Sequence, residues 1–182
     1  MSKTAIFMAE GCEEIEGLTV VDMLRRVNLE IVMVSINGKK SVTGSHGITF
    51  ETDMLFEDVN FDEFDAVVLP GGIPGTPNLG AHEGVCRIIR EFAECGKLVS
   101  AICAAPSVLG ANGLLNGKKA TSYPGFEDKL TGASVSTDAV VVDGNMITSR
   151  GMGTAIDFSL AIISYLTDKE TAAELAKKII YA

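Results

Sequence analysis

The chain has 182 residues, 47% of them hydrophobic, which is enough for one domain spanning residues 1–182 around a sizeable core. Lysine and arginine number 15 against 24 aspartates and glutamates, and the formal net charge of −9 sets aside a nucleic-acid backbone as partner. No apolar run approaches a transmembrane span, so no membrane partner is expected.

Thr4 to Met8 reads as a first strand. Glu14 to Val27 reads as a helix, because Ile15, Leu18, Val21 and Leu24 recur at helical spacing. Its first turn is acidic (Glu13, Glu14, Glu16), as the helix dipole favours, so those carboxylates need no functional explanation on their own. Glu30 to Ile36 is a second strand, followed by the turn signal Asn37-Gly38. Two short strands, Ser41–Thr43 and Ile48–Glu51, flank a turn that carries His46. Ala66 to Leu69 is a buried strand of the parallel type. Pro70-Gly71-Gly72-Ile73-Pro74-Gly75 leaves its carboxyl end, where open α/β sheets bind ligands. The loop lacks the Lys-Ser/Thr pair of a phosphate loop. It fits an anion or oxyanion cradle, and a plain surface turn fits it too.

Glu83 to Glu94 is an amphipathic helix stopped by Gly96, with His82 as a cap or loop residue. Leu98 to Ile102 is another buried strand, and Cys103 follows it directly. Small residues flank the cysteine (Ala101, Ala104, Ala105), and Pro106 opens a helix that ends near Asn112-Gly113. This is the pattern of a nucleophile elbow, with the thiol at a helix N-terminus and its pKa lowered by the dipole. A buried, inert thiol fits the same stretch. Lys119 to Ser122 is a short strand, and Tyr123-Pro124-Gly125-Phe126 leads into a helical piece reaching Thr131. Ala139–Val142 and Met146–Ser149 form a hairpin. Thr154 stands as N-cap of a helix over Asp157–Leu166, and Lys169 to Tyr181 is a terminal helix. Strands alternating with helices predict a doubly wound, mostly parallel α/β sheet with helices on both faces.

The other cysteines, at 12, 86 and 95, make no C-x-x-C pair with it or with each other, and only two histidines exist. Neither a metal site nor a thioredoxin-like motif is therefore expected. Free thiols and an N-terminus without the apolar region of a signal peptide predict a cytoplasmic protein. Glu16, Gly71-Gly72 and Cys103 all follow strand ends that share one crevice in a doubly wound sheet. A thiolate at Cys103 can attack a carbonyl there, with the N–H groups of Gly72 and Ala104 holding the oxyanion and Glu16 moving a proton. The thiol and the carboxyl would titrate as a coupled pair.

Ala66–Gly72, Ala101–Pro106, Thr148–Thr154 and Gly11–Glu16 together resemble the motifs of the ThiJ/PfpI superfamily, in its protein deglycase branch, along essentially the whole chain. The resemblance implies a flavodoxin-like sandwich, a homodimer, no metal, no organic cofactor and an oxidisable cysteine at Cys103, with Glu16 as the glutamate facing it. Two positions depart from the pattern. Tyr123 stands where members often carry a histidine, and a phenol of pKa about 10 is a poor base at neutral pH. Ala104 stands where the protease-like branch has a histidine, which argues against a peptidase or amidase. His46 stands where some members place an arginine near the dimer contact. The resulting expectation is a cysteine-dependent deglycase or glyoxalase acting on methylglyoxal, glyoxal or their adducts. Its site is lined by Gly71, Tyr123 and His46. The rival is a redox-sensing stress protein or chaperone working through oxidation of Cys103.

Overall fold

The computed structural model describes residues 2–181. In chain order the elements are β1 (Lys3–Met8), α1 (Glu14–Arg26), β2 (Glu30–Ser35), β3 (Ser41–Thr43), β4 (Thr49–Glu51), β5 (Met54–Leu55) and β6 (Ala66–Leu69). There follow α2 (Gly75–Ala81), α3 (Glu83–Glu94), β7 (Leu98–Ile102), α4 (Pro106–Ala111), β8 (Lys119–Ala120) and β9 (Ser134–Val135). The chain closes with β10 (Val140–Asp143), β11 (Met146–Ser149), α5 (Ala155–Leu166) and α6 (Lys169–Lys178).

Seven strands make the main sheet, in the order β10-β11-β7-β6-β1-β2-β5. Only the β10–β11 pair is antiparallel. Side chains alternate across it. Ala5, Phe7, Val67, Leu69, Val99 and Ala101 join one core with α2, α3 and α4. Ile6, Met8, Ala66, Val68, Leu98 and Ile102 join the other with α1, α5 and α6. Burial on both faces explains why β6 is wholly apolar, why β1 runs apolar from Ala5 to Met8, and why β7 is apolar but for the buried Ser100. The sandwich is flavodoxin-like. Its strand order reverses between β1 and β6, and the carboxyl ends of β1, β6 and β7 open at that switch point. Among the described residues no helix is long and apolar enough to cross a membrane.

Several expected elements differ. A helix, α2, begins at Gly75, the last residue of the expected loop, and runs through a stretch for which no element is expected. Lys119–Ala120 pairs in parallel with Ser134–Val135 in a separate small sheet, and Thr121 and Ser122 are not part of the strand. The piece after Phe126 is a single 3₁₀ turn over Glu127–Lys129. The terminal helix stops at Lys178, short of Tyr181. Thr154 does precede α5 but does not cap it with its side chain. Its hydroxyl donates instead to the Gly151 carbonyl at 2.9 Å and accepts the Gly151 N–H at 3.2 Å, tying down the loop ahead of the helix.

Candidate active site

Cys103 adopts φ of +65°, a left-handed conformation rare for a residue with a side chain. Backbone bonds hold it there. Its N–H donates to the Ser149 carbonyl at 2.9 Å, and its own carbonyl accepts the Tyr123 N–H at 2.8 Å. Strain of this kind, fixed by neighbouring strands, is how an elbow raises one side chain above the sheet edge.

Glu16 lies in the first turn of α1, fully buried. The N-cap is Glu13, whose Oε2 accepts the Glu16 N–H at 2.6 Å. The Glu16 carboxyl turns inward instead. Its Oε2 accepts the Gly71 N–H at 2.9 Å, the Cys103 side chain stands across Gly71 from it, and the Cys103 thiol and the Met152 N–H both favour its charged form. Gly72, at φ +94°, follows in a conformation that favours glycine. That turn lets its N–H, with that of Ala104, point at the Cys103 sulfur.

Burial pushes the Glu16 carboxyl up to about 7, against the lowering effect of its bonds to Cys103, Gly71 and Met152. Burial also pushes the Cys103 thiol up to about 12, and the negative charge of Glu16 adds to the rise. The expected dipole-lowered thiol is therefore corrected. α4 is only six residues long and begins at Pro106, so its dipole is small beside desolvation. The Ala104 and Gly72 N–H groups do lower the thiol's pKa, but by less than burial and Glu16 raise it. The two side chains share protons as a unit, with the carboxyl poised near neutrality.

The structure thus brings together Cys103, Glu16, Gly71, Gly72 and Ala104. Tyr123 lies at the rim, 50% exposed. Its ring crosses the backbone of Gly151, a Cβ on which would lie 3.3 Å from that ring and 3.8 Å from Glu16 Oε1. His46 is placed on a different glutamate. Its Nδ1 is 3.1 Å from Glu14 Oε2, and its N–H donates to Glu14 Oε1 at 2.8 Å. Burial would raise the Glu14 carboxyl, but its own N–H, the N–H groups of His46 and Ile48 and the His46 ring outweigh it, and the carboxyl sits below its ordinary value. Glu13, Glu14 and His46 offer ligand atoms within 4.8 Å of one another. Both Glu14 oxygens are already engaged in holding the Gly44–Ile48 turn. Sequence reasoning missed the Met152 N–H, since nothing in an Arg-Gly-Met-Gly loop marks which amide will turn inward.

A family profile described as the DJ-1/PfpI family matches residues 2–165. The protein dj-1beta of Drosophila melanogaster is 40% identical over 185 residues, covering 100% of this chain and 99% of the relative. A deglycase of Pyrococcus abyssi is 38% identical over 153 residues, covering 83% of this chain and 91% of the relative. Among solved structures, an oxidised DJ-1 of Toxoplasma gondii superposes with a TM-score of 0.96 at 34% identity, covering 100% of both chains.

Proposed function

The chain belongs to the DJ-1/PfpI family, and from that membership and the Cys103–Glu16 pair we propose that it is a cofactor-independent deglycase or glyoxalase acting on methylglyoxal, glyoxal and their adducts. The observation that carries this reading is a buried carboxyl, poised near neutrality, that meets the Cys103 thiol across Gly71, a thiol that two backbone N–H groups also face. The likeness to a deglycase supports it.

In the proposed reaction the thiol sulfur adds to the aldehyde carbon, and its proton passes through Glu16 to the carbonyl oxygen, giving a hemithioacetal. The Glu16 carboxylate then takes the proton from that carbon, and an enediol forms with its oxygen held by the Gly72 and Ala104 N–H groups. Return of a proton to the neighbouring carbon leaves a thioester of lactate on Cys103. Water cleaves the thioester and restores the thiol. The sum is methylglyoxal plus water to lactic acid; glyoxal gives glycolate in the same way, and an adduct releases its amine or thiol as well.

The test is to incubate the protein with methylglyoxal and follow lactate. Turnover is expected for the parent chain and none for Cys103→Ala; full turnover by that variant would overturn the mechanism. A homodimer in the cytoplasm is part of the proposal. The outer side of α1 supports the dimer, since Ile15, a large apolar side chain, is 47% exposed there. Light scattering at working concentration would show twice the chain mass.

The same pair supports a second reading as a redox sensor. A protonated Glu16 can donate to a sulfinate at Cys103. Mild peroxide would then add two oxygens selectively at Cys103, and intact mass with peptide mapping would read it.

A further inference from the structure

Two carboxylates and an imidazole meet at the start of α1. Glu13 is 8% exposed and Glu14 1%. Among the described residues neither has a lysine or arginine as ion-pair partner, and the basic side chain that both face is His46. Two adjacent buried negative charges call for a counter-charge, and a neutral imidazole does not supply one.

Each carboxylate divides its oxygens in the same way. Glu13 Oε2 accepts the Glu16 N–H at 2.6 Å, and Glu14 Oε1 accepts the N–H groups of His46 and Ile48 at 2.8 and 3.3 Å. Those bonds fix the two side chains. The remaining oxygens, Glu13 Oε1 and Glu14 Oε2, converge on His46 Nδ1 at 3.7 and 3.1 Å. Glu13 Oε1 accepts no hydrogen bond from the described residues, although its side chain is only 11% exposed. The bond at Glu14 Oε2 is to the His46 ring itself, so a cation in place of the ring proton leaves the backbone bonds of the turn intact.

The three ligand atoms lie within 4.8 Å of one another. Tetrahedral bonds of about 2.0–2.1 Å set ligand atoms roughly 3.3 Å apart, so separations of 3.1 and 3.7 Å close on an ion with small side-chain shifts. One imidazole nitrogen and two carboxylate oxygens suit a borderline divalent ion such as Zn²⁺, whereas Mg²⁺ and Ca²⁺ take oxygen ligands. The hydrogen bonds to the other two oxygens are the outer shell that such ligands require. The His46 side chain is 70% exposed, which opens a fourth position to water.

We propose that Glu13 Oε1, Glu14 Oε2 and His46 Nδ1 bind one divalent ion of the zinc type, with the ring proton on Nε2. No metal motif shows in the sequence because Glu14 and His46 stand 32 positions apart and meet only when the turn between β3 and β4 folds over α1. The ion joins that turn to the helix start, where Glu13 already holds the Glu16 N–H. The site stands whether or not Cys103 turns over an aldehyde.

The experiment titrates Zn²⁺ alone into the full chain by calorimetry, and into His46→Gln, Glu13→Gln and Cys103→Ala. The parent should bind one equivalent at these residues, and about a hundredfold excess of Mg²⁺ should not displace it. His46→Gln and Glu13→Gln should each weaken binding by at least about tenfold, while Cys103→Ala should bind as the parent does. Unchanged affinity in either of the first two variants, or loss in Cys103→Ala, would overturn the proposal by placing the ion elsewhere. Imidazole nitrogen resonances give a readout at the ligand itself. Zn²⁺ should shift Nδ1 of His46 and leave His82, whose Nδ1 accepts the Val85 N–H at 3.1 Å, unchanged. An unshifted His46 ring would overturn the proposal even where calorimetry shows uptake. Melting supplies the third measurement. With free Zn²⁺ at about 100 times Kd, Tm should rise by at least about 5 °C in the parent and not in His46→Gln, and an equal rise in both would count against the site.

Discussion

Gly71 donates its N–H to Glu16 Oε2 at 2.9 Å and leaves no room for a side chain of its own. A Cβ at Gly71 would stand 2.7 Å from that same oxygen and 2.6 Å from the Cys103 Cβ. The glycine is thus both a ligand of the carboxyl and the gap through which carboxyl and thiol meet. Gly71→Ala should separate the pair without removing either member. Overpacking of this kind costs about 1–3 kcal/mol, well short of unfolding a domain of this size. Lactate formation from methylglyoxal should fall by about tenfold or more, with the far-ultraviolet circular dichroism unchanged. A variant as active as its parent would show that the contact is irrelevant to turnover.

Glu16 offers a second test through stability. Its carboxyl rises from 4.5 to about 7 in the fold, chiefly through burial, so the native state holds the proton more tightly than the unfolded chain does. Its contribution to stability is full below about pH 4.5, falls as the pH climbs, and is lost above about 7. The rise corresponds to about 3 kcal/mol. Glu16→Gln cannot ionise and escapes this loss. Urea midpoints should show the variant gaining on its parent by roughly 2–3 kcal/mol between about pH 5 and about pH 8. A difference that does not change with pH would mean that Glu16 titrates normally.

The sheet and most of its helices were legible because burial on both faces leaves apolar runs in β1 and β6 and a nearly apolar one in β7, broken only by Ser100. The elbow was legible in part, since small residues flank Cys103 and Pro106 opens a helix, a pattern that a buried, inert thiol fits as well. α2 was not. Gly75, Pro77 and Gly80 within seven residues are poor helix formers, and the helix is held by tertiary contact, with Leu79 completely buried. β5 is two residues long and takes its register from β2, which no local pattern reveals. The direction of the Cys103 pKa was misread because a helix start is visible in sequence and desolvation is not. His46 looked like a site residue, but its ring and backbone both serve Glu14, a contact across 32 positions of chain.

Tyr123 tests whether the missing histidine matters. Its backbone N–H holds the Cys103 carbonyl, and its ring lies across Gly151, which in turn runs over Glu16. Neither role uses the phenol hydroxyl. Tyr123→Phe should therefore turn over methylglyoxal within about twofold of the parent, with the same pH profile. Tyr123→Ala removes the ring from the rim and should lower activity further than the phenylalanine does. A large loss in Tyr123→Phe would give the hydroxyl a part in proton transfer.

Three of the four thiols should separate by alkylation. Cys12 is completely buried, and burial first, then the charge of Glu14, pushes it up to about 12. Cys95 is exposed at the end of α3. At about pH 8, iodoacetamide should therefore modify Cys95 readily and leave Cys12 intact in the folded protein. Cys103 is half-buried, and the second cause of its raised pKa is the Glu16 charge. Above about pH 7 that carboxyl is largely ionised and repels the thiolate. Glu16→Gln removes the repulsion, so Cys103 should alkylate faster in the variant at about pH 8, while the rate at Cys95 stays the same. The comparison with Cys95 corrects for reagent and temperature. Slower alkylation of Cys103 in Glu16→Gln would mean that the glutamate supports the thiolate as a hydrogen-bond donor at that pH, and the carboxyl would then have to hold its proton well above 7.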